Sequence, residues 1–187
     1  MNILSSQPPA SLTLTALSGI PLLNPGDNLV LIILQSLKQS NLSLENGDIL
    51  VIAQKVVSKA EGRYARLADI IPSERAFKLA EITGKDPRLV ELILSESREI
   101  VRHSKRTIQS SGVVVAENRQ GIVLANAGID SSNVGSESED EKVLLLPIDP
   151  DKSAGNINKE LQLKFKVRLA VIINDSLGRA WRNGTTG

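Results

Sequence analysis

Residues 49–57 read ILVIAQKVV, and how that stretch is assigned decides what the rest of the chain can build. It is apolar almost throughout and starts directly after the chain-turning pair Gly47-Asp48, which predicts a central strand covered on both faces. Working outward, VRLAVIIND at 167–175 reads as a second buried strand with polar residues at its carboxyl end. GVVVA at 112–116 and GIVLA at 121–125, separated by ENRQ, carry the signal of a hairpin. LTLTAL at 12–17 alternates as a half-buried strand does, and VLLLP at 143–147 makes a short one.

Helix punctuation is explicit between these runs. SGIPLLNPGD at 18–27 is a rigid loop leading into a helix capped by Asp27 or Asn28, with Leu29, Ile32, Ile33 and Leu37 on its apolar face. Pro72-Ser73 opens a second helix and Gly84 closes it. Asp86-Pro87 opens a third, a cap followed by proline at the first helical position, and DPDKSA opens a fourth. GSESEDEK at 135–142 is acidic and poor in apolar residues, as a solvated loop would be. Strands and helices mix without strict βαβ alternation and without an internal repeat. The expected class is α+β, a mixed sheet with flanking helices in one domain spanning 1–187.

Composition removes several function classes. Lysine plus arginine number 22 against 21 acids, and aromatics make up 2%, so there is neither the basic surface nor the stacking groups that nucleic acid requires. The chain has no cysteine, which excludes disulfides, thiolate metal sites and cysteine nucleophiles. Its single histidine, His103, lies in the polar stretch RHSKR and cannot build a zinc site alone. The longest strongly apolar run, LVLIIL at 29–34, is far short of the roughly 20 residues that span a bilayer, and the first residues lack the features of a signal peptide. A cytoplasmic protein is expected.

The chemistry should lie where apolar runs end in polar clusters, because a sheet aims loop side chains from a rigid edge. Three such clusters occur: SKAEG after 49–57, NAGIDSSN after 121–125, and NDSLGRAWRNG after the run at 167–173. Two of them offer an aspartate followed by a serine, Asp130-Ser131 and Asp175-Ser176. Hard divalent cations take oxygen ligands of this kind, with phosphate and water completing the shell. Lys59 could meet phosphate as a point charge. Each has a plainer reading too. Asp130 could cap a helix or hold an Asx-turn, Asp175-Ser176 could make a tight turn, and Lys59 with Glu61 could be a solvated pair. Arg179 and Arg182 flank Trp181, a pattern that packing alone explains. Neither a Walker A sequence nor GxGxxG is present.

The ordered set GIPLLNPGD, GDILVIAQKVVSKAEGR, PSERA, NAGIDSSN, LLLPIDPDKSA and NDSLGRAWRNG resembles the coenzyme F420-0:L-glutamate ligase family, from about residue 12 to residue 187. The resemblance implies an α+β fold in an intertwined homodimer. It also implies that GTP and a divalent metal, Mg2+ or Mn2+, join L-glutamate to the lactyl carboxylate of F420-0, with γ-linked additions after it. A monovalent cation such as K+ is a further possible cofactor. Carried over by position, the metal ligands are Asp130, Asp175 and Ser176. The nucleotide contacts are Ile20, Pro21, Leu22 and Leu23, then Gln54 and Lys55 through their backbone, Lys59, and Asn133. The catalytic set is then Lys59, Asp130 and Asp175, with Arg179 or Arg182 expected to meet a phosphodiester or carboxylate. Family chains continue past WRNGTTG into a glycine-rich segment that completes the site, so 1–187 is expected to lack that portion. Two other readings stand beside this one: a non-catalytic dimerisation or binding module, and a nucleotide-dependent ligase acting on a different carboxylate.

Overall fold

The computed structural model describes residues 11–108, 112–131, 141–178 and 185–186. In chain order its first half holds α1 (Leu29–Gln39), β1 (Ile49–Ala53), α2 (Gln54–Ala60), β2 (Tyr64–Arg66), α3 (Glu74–Thr83) and α4 (Pro87–Ser95). Then come β3 (Ser97–His103), β4 (Val114–Asn118), β5 (Val123–Ala125), β6 (Lys142–Leu144), α5 (Pro150–Phe165), β7 (Ala170–Asn174), β8 (Leu177–Gly178) and β9 (Thr185–Thr186). The class is α+β as expected, and among the described residues the strands divide into four small sheets.

β1 pairs in parallel with β7, in register from Ile49 against Ala170 to Ala53 against Asn174. One face of this pair is covered. Ile52 packs with Val30, Ile33 and Leu37 of α1, Val57 of α2, and Ile157 and Leu161 of α5. The other face is bare, with Ile49 57% and Val51 58% exposed, so β1 is not the doubly covered central strand its composition predicts.

The strand is also shorter than expected, because ILVIAQKVV divides after Ala53 into strand and helix. The β7 ladder stops at Asn174, so backbone groups beyond Ala53 have no strand to pair with. They turn into α2, where Val57 enters the core at 1% exposure and Gln54 Nε2 donates to Ser58 Oγ at 2.5 Å. Lys59 therefore lies on a helix and not at a strand end. LTLTAL forms no strand either, and Leu12 and Leu14 are 83% and 86% exposed. Alternation creates a two-faced segment, but a strand also needs a ladder partner, and among the described residues none is paired with residues 12–17. The segment is tied to α1 instead, by Ser36 Oγ donating to the Ser18 carbonyl at 2.5 Å.

A second core forms around α3, α4 and β4, with Ala76, Val90, Ile93, Val114 and Ala116 fully buried. The punctuation works as read: Ser73 Oγ accepts from Ala76 N, and Gly84 closes α3 at φ 66°, a conformation that favours glycine. Asn28 rather than Asp27 caps α1, while Asp27 accepts from Asn24 N in the preceding turn. The hairpin of β4 and β5 is present, and β3, unread in the sequence, joins it on the free edge of β4. β6 pairs antiparallel with β2. Among the described residues no helix is long and apolar enough to cross a membrane.

Asp86 caps α4 by accepting from Arg88 N at 2.8 Å, and the Arg88 guanidinium grips both its oxygens at 2.6–3.1 Å. Those Arg88 hydrogen bonds hold the Asp86 carboxyl below its ordinary value. Its stabilising contribution is therefore full above the ordinary carboxylate range and is lost as the pH falls through its lowered value. Asp86→Ala should cost about 1 kcal/mol at pH 7. Denaturant melts should show the gap to wild type closing as the pH is lowered towards 2.

Candidate functional site

Two parallel strands that run together end at one edge, so the register of β1 on β7 sets Gln54-Lys55 beside Asp175-Ser176. A third segment reaches the same edge from the second core. After β5 the chain makes a left-handed turn, with Asn126, Ala127 and Gly128 at φ 52°, 53° and 79°. Successive left-handed residues are costly for L-amino acids. Gly128 is there because a Cβ at its position would lie 2.6 Å from Leu146 Cδ1 and 2.9 Å from Leu124 Cδ1. The turn delivers Asp130 into a bridge with Leu144, Asp130 N donating to Leu144 O at 2.9 Å and Leu144 N to Asp130 O at 2.8 Å. The backbone N–H and carbonyl of Asp130 are thus both used by this bridge. Its backbone is pinned to β6, and its side chain lines the cleft at this edge.

The three chain segments enclose a cleft of about 600 Å³, with apolar wall from Val51, Leu124 and Ile129 and polar groups from Gln54, Lys55, Asn126, Asp130 and Asn174 to Ser176. Lys55 Nζ lies 2.5 Å from Asp130 Oδ2, with the two side chains 37% and 28% exposed. Asp175 and Ser176 are exposed, and Asp175 Oδ1 accepts the Ser176 backbone N–H at 2.8 Å. Asn126 Oδ1 is buried without a hydrogen-bond partner among the described residues, an arrangement proteins rarely leave in a wall without reason.

The structure brings Asp130, Asp175, Ser176, Gln54 and Lys55 together at this cleft. Lys59 lies one helical turn beyond Lys55 on α2 and is not part of the cleft wall. Ile20 and Leu23 line a different depression, an apolar groove of about 550 Å³ over the bare face of β1. The groove shares Val51 and Ala53 with the cleft, so the two are continuous around β1. Pro21 and Leu22 line neither depression and are exposed, Leu22 at 90%. The loop that carries these four is anchored to the end of α2 by Gly26 N donating to Ala60 O at 2.8 Å. Asn133, Arg179, Trp181 and Arg182 lie outside the described residues. Two features escaped the sequence reading: the Lys55 side chain on Asp130, and Asn126 in the wall. Only the second left a trace, as the residue type that tolerates left-handed backbone best after glycine.

No group of three or more His, Cys, Asp or Glu side chains able to hold a metal occurs among the described residues. Two carboxylates and a hydroxyl are too few for an all-protein cage. They are the donor number and type that suit Mg2+ or Mn2+ sharing its shell with phosphate and water. The residues present fit such an ion.

Comparison with known proteins places the chain. The family model for F420-0:gamma-glutamyl ligases matches residues 19–187, and the chain belongs to that family. It is 45% identical over 176 residues to the coenzyme F420:L-glutamate ligase of Methanothermobacter thermautotrophicus, covering 94% of this chain and 66% of the relative. The enzyme of the same name from Methanopyrus kandleri is 44% identical over 163 residues, 87% of this chain and 59% of its own length. That from Methanocaldococcus jannaschii is 42% identical over 144 residues, 77% and 53%. The chain spans between about half and two thirds of these curated relatives.

Gly128 is the hinge on which the position of Asp130 rests. Gly128→Ala adds a left-handed penalty and a clash with Leu124 and Leu146, and should destabilise by about 2 kcal/mol or more, read by urea unfolding.

Proposed function

We propose that the protein is a GTP-dependent, metal-dependent ligase that joins L-glutamate to coenzyme F420-0. The observation that carries the reading is the meeting of Asp130 and Asp175, from separate segments of the chain, at one cleft that also holds a lysine ammonium. The names of the relatives supply the substrates.

A carboxylate and an amine do not condense in water until one carboxylate oxygen becomes a leaving group. In the proposed reaction the F420-0 carboxylate takes the γ-phosphoryl group of GTP, giving an acyl phosphate and GDP. The α-amine of glutamate then attacks the acyl carbon, phosphate departs, and the nitrogen loses a proton to leave an amide. A divalent cation held by Asp130, Asp175 and Ser176 would supply charge neutralisation on the phosphoryl group. Lys59 would meet phosphate oxygens, and Gln54, whose side chain is occupied by Ser58, would present only backbone to the nucleotide. Asn133 and the loop at 20–23 would add the further nucleotide contacts that the family resemblance implies. Val51, Leu124 and Ile129 give the cleft an apolar wall, which would shield the acyl phosphate from water.

Full-length protein given GTP, Mn2+ or Mg2+, F420-0 and L-glutamate should release GDP and raise the acceptor mass by one glutamyl residue. Failure with F420-0 but success with another carboxylate would assign a different ligase, and no transfer to any acceptor would leave a binding module. Asp130→Asn and Asp175→Asn should each lower turnover about 100-fold or more while melting within a few degrees of wild type. Wild-type rates in either variant would refute the assignment.

We further propose a homodimer. Exposed Ile49, Val51 and Ile172 on the bare face of the parallel pair, with Leu14 nearby in the groove, form an apolar surface of the kind that partners cover. Sedimentation equilibrium should return twice the chain mass, and a monomer at micromolar concentration would contradict it.

A further inference from the structure

Lys55 was expected to contribute backbone alone, yet its ammonium stands in hydrogen-bond contact with the carboxylate of Asp130. The mobility of the two partners is unequal. Asp130 is fixed through both backbone polar groups to Leu144 and lies just past a turn locked by Gly128 against Leu124 and Leu146. Lys55 reaches it from the first turn of α2 on a flexible four-carbon stem beside open cleft. If another cation comes to Asp130, the lysine is the partner that yields.

We propose that Lys55 is a built-in competitor for the cation at Asp130, and that its displacement couples metal binding to nucleotide binding. This rests on the reading of Asp130 as a metal ligand. A divalent ion arriving alone must separate the ammonium from the carboxylate and brings no anion to replace it. An ion arriving with a nucleoside phosphate brings oxyanions into the same cleft, and the released ammonium has a new partner within reach of its stem. The ion and the nucleotide therefore each strengthen the binding of the other by the same factor, as linkage requires. Asp175 does not carry this control, because the contact its carboxylate makes is with its own neighbour, the Ser176 N–H. The cleft thus holds one carboxylate already matched to a cation and one open to the incoming ion. An ion pair more than a quarter exposed is worth only a few-fold in binding, so the expected effect is graded and not all-or-none.

The test is Mn2+ binding to full-length protein, followed by calorimetry or by the loss of the free-ion electron paramagnetic resonance signal, alone and in saturating GDP. No turnover is involved. Wild type should bind Mn2+ weakly alone and more tightly with GDP. Lys55→Met should bind Mn2+ alone about three- to tenfold more tightly than wild type, and GDP should add less to it. Lys55→Gln, which keeps a polar side chain at this part-exposed position, should do the same, and Lys55→Arg should restore wild-type behaviour. Unchanged or weaker Mn2+ binding in folded Lys55→Met and Lys55→Gln would overturn the proposal, since an ion pair that served only stability would give that result. Asp130→Asn separates the two levels: if it binds Mn2+ as wild type does, the metal assignment itself fails, whereas loss of binding there with no gain in the Lys55 variants defeats the competition alone.

Discussion

Ile49 to Ala53 lie in parallel against Ala170 to Asn174, and strands that run the same way must finish at the same edge. From that constraint the site follows. Residues over 110 positions apart in sequence, Lys55 and Asp175, become neighbours across one cleft without either being placed by a long loop. A shift of one residue in this register would turn each β1 side chain to the other face, moving Ile52 out of the core it shares with α1 and α5. The burial of that one face is what fixes the edge.

The second core contributes the remaining acid, and does so rigidly. Fully buried Val114 and Ala116 hold β4, the β4–β5 hairpin carries the left-handed turn, and the Leu144 bridge stops Asp130 from swinging. Each core thus supplies one carboxylate to a cleft that neither could form alone. Arg63 strengthens the connection between the segments near it, donating to the Leu146 carbonyl at 2.8 Å and pairing with Glu96 at 3.1 Å.

Helix boundaries were legible in the sequence because Ser73, Gly84, Asp86 and Asp149 act locally, each on a backbone group within four residues. The hairpin was legible for the same reason. What could not be read depends on partners distant in sequence. Where β1 stops is set by where β7 stops, and the alternation in LTLTAL means nothing without a ladder to join. The nine-residue apolar run gives no sign of the break at Gln54, and because a helix begins there, Lys55 is the lysine at the strand end and Lys59 stands one turn further along α2. The acids at Asp130 and Asp175 were noticed as aspartates following apolar runs, and it was the family resemblance, not spacing, that gave them their roles.

The central claim is that Asp130 and Asp175 act together on one cation at the cleft where β1, β5 and β7 end. Anomalous diffraction at the manganese edge, from crystals of the full-length protein grown with GDP and Mn2+, tests it directly. The account predicts a manganese peak between the two carboxylates, within about 2.0–2.4 Å of an oxygen from each. A peak that touches only one of them, or lies away from this cleft, would contradict it.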